Sequence, residues 1–173
     1  MSFVLGFLKF IGLLLLLFTL ILLWGMYSYR SAIQKGCDHV LSIAQNSVQV
    51  NYLDDWLLEH ALGKGCTSIG GMHGDITCSK NGEFFEVHPL PDPTKSGIPT
   101  ISLRLSISTL AGHYGKEITS ENIHEVGFGH GRDQIIILKN GGQLSSFESG
   151  SIESGKLKKI NETTYAYCAD GKY

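Results

Sequence analysis

The pattern of apolar and polar positions changes character near Arg30. From Phe10 to Tyr27 eighteen consecutive residues carry no charge, and beyond them short apolar segments alternate with polar and glycine-rich ones. A helix rises about 1.5 Å per residue and a bilayer's hydrocarbon core is roughly 30 Å thick, so about 20 apolar residues span it. Residues 3–8 extend the run on the far side of Lys9. Lys9, near one end, has a side chain long enough to reach the headgroups. Trp24, Tyr27 and Tyr29 cluster at the other end with Arg30, where an interfacial aromatic belt sits. Five successive leucines followed by Phe18-Thr19-Leu20-Ile21-Leu22-Leu23 leave no polar face, which argues against a buried soluble helix. The exit, Trp24 to Arg30, offers no small-x-small site, which argues against a cleaved signal peptide. The pattern predicts a transmembrane signal anchor over residues 1–30, in contact with the lipid bilayer through residues 3–27, with Lys9, Trp24, Tyr27 and Arg30 at its interfaces.

Two helices are predicted next, in a helical segment over 31–66. Ile33, Cys37, Val40, Leu41 and Ala44 recur at the spacing of one helix face. This helix begins close enough to the anchor to continue it, with Gly36 as the weak point, and Asn46-Ser47 ends it. The second reads from Asn51 as N-cap, through Asp54 and Asp55 in the first turn, to Gly63 after its end. Leu53, Trp56, Leu57 and Ala61 form its stripe, widened by Leu58 and Leu62.

After Cys66 the period becomes that of strands, over a β-rich part at 67–173 of the same domain. Asn81-Gly82 marks a two-residue hairpin turn, which sets Lys80 opposite Glu83, Cys78 opposite Phe85 and Ile76 opposite Val87. Ile76, Cys78, Phe85 and Val87 then face inward. Pro89, Pro91 and Pro93 predict an extended connection. Ile101, Leu103, Leu105 and Ile107 alternate with Ser102, Arg104, Ser106 and Ser108, a strand with one wet face. Thr119 to Val126 reads as a short helix. Gln134 to Lys139 reads as a strand buried on both faces, because Ile135-Ile136-Ile137-Leu138 is unbroken. Asn140-Gly141-Gly142 turns into a strand over Leu144 to Glu148. Ser149 to Gly155 reads as a loop, and Lys158 to Ala169 as a last strand. The fold class is α+β: an N-terminal transmembrane helix, then two helices packed on one face of an antiparallel sheet of about five strands.

Charge and cysteines narrow the setting. Lys9 and Arg30 belong to the anchor, which leaves 12 of the 14 basic residues against all 16 acidic ones, a charge of −4 for the rest. That argues against the basic surface that nucleic acid demands and against a broad polybasic contact with anionic lipid. Glycine is 21 of 173 residues, above the usual share of about 7 %, and implies many tight turns. Basic residues near the two ends of the anchor nearly balance, so the positive-inside rule does not orient it. Cys37, Cys66, Cys78 and Cys168 all lie beyond the anchor, as disulfides in an oxidising compartment would. This predicts a single-pass protein with a cytoplasmic amino end and a periplasmic or extracellular domain. Cys66–Cys78 with Cys37–Cys168 is one attractive pairing, and Cys37–Cys66 with Cys78–Cys168 is another.

Candidate chemistry is sparse. His73, His124 and His130 follow no metal-ligand spacing, with no CxxC, HxxxH or HExxH in the chain. No GxSxG nucleophile elbow occurs, and bonded cysteines are not nucleophiles. Neither a catalytic residue, a metal nor a cofactor is predicted. Asn161-Glu162-Thr163 matches a glycosylation sequon by chance composition. The segment Gly127 to Asp133 is the most unusual string. Its glycines free the backbone to approach a ligand, and His130, Arg132 and Asp133 supply the polar groups of an anion-binding nest.

A hydrophobic helix leading into an antiparallel sheet resembles the layout of type IV pilins and pseudopilins. Their leader, ending in Gly before a Phe-x-x-x-Glu start, is not matched: the apolar run begins at Phe3, and Phe18-Thr19-Leu20-Ile21 is followed by Leu22 where the glutamate stands. The first functional expectation is a non-catalytic binding or assembly protein of the cell envelope, with other envelope proteins as partners and no nucleic acid. The second is a membrane-tethered small-ligand-binding protein or hydrolase that uses His130, Arg132 and Asp133, with His73 or His124 nearby.

Overall fold

Asn46 is where the helical part of the chain changes direction. Its Oδ1 accepts the main-chain N–H groups of Val48 and Gln49 at 3.1 and 3.4 Å, capping a new helix one residue after the first ends. In the computed structural model, which describes residues 2–72, 74–107, 116–130 and 132–173 (backbone only for 2–9, Met72 and His130), the first helix α1 runs Ser2–Gln45 and α2 runs Ser47–Trp56. The predicted cap at Asn51 is therefore one turn too late. Asn51 lies inside α2, because Asn46 offers the same side chain at the actual break. The chain divides into residues 1–35 and a folded unit of residues 36–173. Among the described residues one helix, Phe10–Gln45 within α1, is long and apolar enough to cross a membrane. Trp24, Tyr27 and Arg30 are exposed on it, while the side chain of Lys9 lies outside the described set.

Residues 36–45 of α1 belong to the folded unit. Gly36 is not a break: α1 continues through it, and a Cβ there would stand 3.1 Å from Asp133 Oδ2. Val40, Ile43 and Ala44 of α1 and Leu53 and Trp56 of α2 are buried, as are Leu57 and Ala61 of the single π-helical turn that follows. Trp56 Nε1 donates to Pro89 O at 2.7 Å, which ties this layer to the proline connection.

Among the described residues eight strands, rather than about five, form one sheet: β1 (Ser68–Met72), β2 (Asp75–Lys80), β3 (Glu83–Glu86), β4 (Ser102–Ile107), β5 (Ile123–His130), β6 (Asp133–Leu138), β7 (Leu157–Lys159) and β8 (Thr164–Tyr167). The spatial order is β3-β2-β1-β4-β5-β6-β8-β7, and each neighbouring pair is antiparallel. The α+β class holds. The hairpin register predicted from Asn81-Gly82 is present, with Lys80 opposite Glu83 and Cys78 opposite Phe85, and both turn residues at positive φ. Phe85, expected inside, is 49 % exposed, because β3 is the end strand and has a neighbour on one side alone.

The additional strands come from segments without clean alternation. β1 carries Gly70 and Gly71, and β5 carries Gly127 and Gly129 where an outward side chain would stand. Two of these glycines are required by close backbone approach. A Cβ on Gly71 would lie 1.8 Å from Asp75 O, and one on Gly129 would lie 2.1 Å from Asp133 O. The predicted helix over Thr119 to Val126 is instead a turn, closed by Thr119 N–H to Asn122 Oδ1 at 3.0 Å, and then β5. The predicted strand over Leu144 to Glu148 and the loop after it are replaced by helix α4, Ser146–Glu153. Short α3, Pro93–Ser96, starts at a proline expected to be extended, because Asp92 caps it. The last predicted strand divides into β7 and β8 around Asn161, whose Oδ1 accepts Thr163 and Thr164 N–H at 2.9 and 2.8 Å.

The sheet has two differently covered faces. Val126, Phe128, Ile135, Ile137 and Ala166 join the helix layer in the main core. On the opposite face Ile136, Leu157 and Tyr165 form a smaller core. Ile135, Ile136 and Ile137 are all buried, as the unbroken apolar run predicted. Cys37 with Cys168 and Cys66 with Cys78 form the two disulfides, the first of the two pairings considered.

Gly71→Ala and Gly129→Ala should each destabilise the fold by about 3 kcal/mol or more, since backbone must move. Gly150→Ala, in α4 with open space at its Cβ, should stabilise by about 0.5–1 kcal/mol. Urea unfolding followed by Trp56 fluorescence measures the set. Peptide mapping without reductant should give Cys37–Cys168 and Cys66–Cys78 peptides, and swapped partners would refute the pairing.

Candidate functional site

The residues singled out in Gly127 to Asp133 sit at the β5–β6 turn. Gly127 and Gly129 are strand residues against Gln134 and Asp133, and His130 pairs with Asp133 through the backbone. Arg132 is exposed and its Nη1 stands 3.3 Å from Asp170 Oδ1. Asp133 Oδ1 accepts the N–H of Ala169 at 2.9 Å, beside the Cys37–Cys168 disulfide. Tyr173 closes this corner by donating its hydroxyl to Cys37 O at 3.2 Å. Burial, reinforced by the negative charges of Asp133 and Asp38, pushes the Tyr173 phenol well above its ordinary range. The fold thus brings Arg132 and Asp133 to the C-terminal segment. The side chain of His130, and His73 and Gly131 altogether, lie outside the described residues, as does Ser108 of the predicted wet face.

Metal-ligand geometry is thin. Cys37, Asp133 and Cys168 place their donor atoms within 4.8 Å of one another, but the sulfurs are joined to each other, which leaves one carboxylate. His124 and His130 stand at opposite ends of β5, about 20 Å apart at the rise of a strand, too far to share an ion. His39 meets Gly97 O at 2.8 Å, His88 meets Glu86 at 2.9 Å, and His60 lies against the Trp56 ring.

The densest polar cluster was not foreseen. On the sheet face away from α2, Arg104 Nη2 donates to Glu125 Oε1 and to Glu148 Oε1, both at 2.6 Å. Glu125 and Glu148 are 4 % and 3 % exposed. Each element supplies its group for a local reason. Arg104 and Glu125 are outward positions of the adjacent strands β4 and β5. Glu148 is the third residue of α4, where its Oε2 accepts Ser145 N–H at 2.9 Å and Ser145 Oγ–H at 2.8 Å while Ser145 Oγ caps the helix. Beside the cluster Gly127 makes room for Gln134: a Cβ there would meet Gln134 Oε1 at 2.9 Å. A shallow cleft of about 110 Å³ borders the cluster, lined by Arg104, Gln134, Ile136, Phe147, Glu148 and Tyr167. The sequence did contain a signal, since Ser145-x-x-Glu148 is a capping-box pattern.

One guanidinium against two carboxylates leaves a surplus negative charge. Burial and the charge of Glu148 raise the pKa of Glu125 above its ordinary 4.5, against the pull of Arg104. Burial also opposes the Glu148 charge, but the hydrogen bonds from Ser145 and Arg104 outweigh it and hold its pKa below that value. Burial likewise opposes the Arg104 charge, which the two carboxylates sustain. Chemically the cluster is a clamp that fastens α4 to the sheet, and as pH falls Glu125 takes up a proton before Glu148. A larger cleft of about 320 Å³ lies where the end of α1 and α2 meet β6 and the β7–β8 turn. It contains the ion pair of Lys139 with Asp54.

The third feature is a sheet edge. On β3, Phe84 and Phe85 point to opposite faces and are 74 % and 49 % exposed. Edge strands are ordinarily blunted by shortness, charge, proline or a bulge. β3 has no lysine, proline or bulge, but it is four residues long and flanks its two phenylalanines with Glu83 and Glu86.

Replacement of Arg104 by Met should destabilise by about 3 kcal/mol at neutral pH, by stranding two buried carboxylates. Glu125, with its folded pKa raised, stabilises below the unfolded value and loses this as pH rises through the folded one. Glu148, with its folded pKa lowered, stabilises above the unfolded value and loses this as pH falls through the folded one. The cluster's contribution therefore peaks between the two folded values, which bracket 4.5. Glu125→Gln should remove the decline on the alkaline side of that peak and leave the acid side, as read by denaturant unfolding across pH.

No family model, curated protein or solved structure matches this chain.

Proposed function

We propose that this chain is a single-pass, membrane-anchored protein whose extracytoplasmic domain is a non-catalytic binding or assembly protein of the cell envelope. The observation that carries the reading is the exposed aromatic edge: Phe84 and Phe85 stand on an end strand whose outer backbone meets no partner among the described residues. An open edge offers main-chain hydrogen bonds, and phenyl rings on both faces add apolar contact. The apolar helix within α1 supports anchoring. The two disulfides support an oxidising compartment for the domain. With the amino end cytoplasmic, both requirements are met by one crossing. The exposed strand edge favours binding over chemistry, since the buried carboxylates Glu125 and Glu148 are consumed by Arg104 and Ser145.

Two measurements test this. A reporter fused after Tyr173 that is active only in the cytoplasm should stay silent, and activity would reject the orientation. Crosslinking in intact membranes, with the full chain as bait, should capture partner protein. Phe84→Ser with Phe85→Ser should lower that capture at least about tenfold, since exposed aromatic anchors carry much of such a contact. Equal capture by the double variant, at unchanged thermal stability, would refute the edge as the binding surface.

A further inference from the structure

The two ends of the sheet carry opposite charge. β3 reads Glu83-Phe84-Phe85-Glu86, and β7 at the other end reads Leu157-Lys158-Lys159. All of these residues except Leu157 are exposed. The hydrogen-bond parity of both strands follows from their neighbours. Val87 N–H donates to Ile76 O at 2.7 Å, so Glu83 and Phe85 also direct their main-chain groups toward β2, and those of Phe84 and Glu86 point outward. Cys168 N–H donates to Lys156 O and Ile160 N–H to Thr164 O, so Lys158 faces β8, and Leu157 and Lys159 point outward. Each end therefore presents two consecutive outward-directed residues.

Strand direction completes the match. Seven successive antiparallel pairings separate β3 from β7, so these two strands run in opposite directions. A second copy placed beside the first without rotation then sets its β7 antiparallel to β3 and keeps each sheet face continuous. In the register of fullest overlap, Phe84 lies opposite Lys159 and Glu86 opposite Leu157. Glu86 is then diagonal to Lys159 on one face, and Glu83 is diagonal to Lys158 on the other, distances across which long side chains interact. Phe85 lies opposite Lys158, whose cation can rest over the ring. A pairing of two like edges gains none of these contacts. Glu86 has His88 beside it at 2.9 Å, but both side chains are two-thirds exposed at 66 %, which leaves the carboxylate accessible.

We infer that the acidic edge β3 binds the basic edge β7 of a second copy of this chain, extending the sheet head to tail. The contact is heterologous, so it propagates beyond a dimer. This rests on the anchored-binding reading above. Edges of three and four residues make a small interface, and copies held in one bilayer supply the local concentration that such an interface needs.

The test uses the full chain in intact membranes, with the photoreactive amino acid p-benzoylphenylalanine at position 85. Irradiation should give a ladder of dimer, trimer and higher adducts, with the crosslink mapping to residues 157–159 of another copy. Glu83→Lys with Glu86→Lys, or Lys158→Glu with Lys159→Glu, should each cut the ladder at least about tenfold. Co-expression of the two reversed chains should restore adducts between them, which also shows that both fold. No ladder, adducts that stop at a β3-to-β3 dimer, adducts only to other proteins, or charge reversal without effect would each overturn the inference. Adducts to other proteins that depend on Phe84 would overturn it and leave the broader binding reading standing, whereas an active cytoplasmic reporter would remove that reading instead.

Discussion

Ile135, Ile136 and Ile137 are buried in succession, and a strand can bury successive side chains only if both faces of its sheet are covered. Much of the domain answers that demand. On one face the end of α1 and α2 deliver Val40, Ile43, Leu53 and Trp56 against Ile135 and Ile137. On the other, the chain beyond β6 must fold back over Ile136, and it does so with Leu144, Leu157 and Tyr165. Helix α4 is too short, at 8 residues, to hold itself there by propensity alone. It is held by Glu148, which caps its own first turn and reaches Arg104 in the sheet.

The Arg104 cluster therefore has a structural cause before any chemical one. Burying a charge is costly unless it is paired and hydrogen-bonded, and both carboxylates are. Their coupling divides the roles: Glu148, with the Ser145 hydrogen bonds, keeps the negative charge, and Glu125 holds the proton to higher pH. The Cys37–Cys168 disulfide closes the folded unit where Asp133 holds Ala169 and Tyr173 reaches back to Cys37. Both chain ends of this unit are thereby fixed to one another.

What was legible in the sequence is what depends on local pattern. Asn81-Gly82 dictates its own hairpin because both residues tolerate positive φ, and the triple isoleucine dictates its own double burial. What was missed depends on partners far away in the chain. Gly127 and Gly129 look like a flexible bend until Gln134 and Asp133 are known to press against them, after which they read as strand. Glu125 and Glu148 are 23 residues apart, numbered 125 and 148, and only the pairing of β4 with β5 and the return of α4 unite them at Arg104. The α4 helix was the exception, since its capping box was local and visible but competed with a β-compatible Leu144 to Glu148 reading.

Edges impose the last constraint. An open antiparallel sheet has two, and charged side chains are one of the means by which a monomer keeps them from pairing. Here β7 carries two lysines and β3 two glutamates, so like edges repel and unlike edges attract. Placing Phe84 and Phe85 between the glutamates strengthens the asymmetry, because aromatic rings promote the pairing that lysines and prolines are used to prevent. In the head-to-tail contact we propose, that arrangement has a use: the acidic, aromatic edge meets an extended, basic one, which the domain's own opposite end supplies.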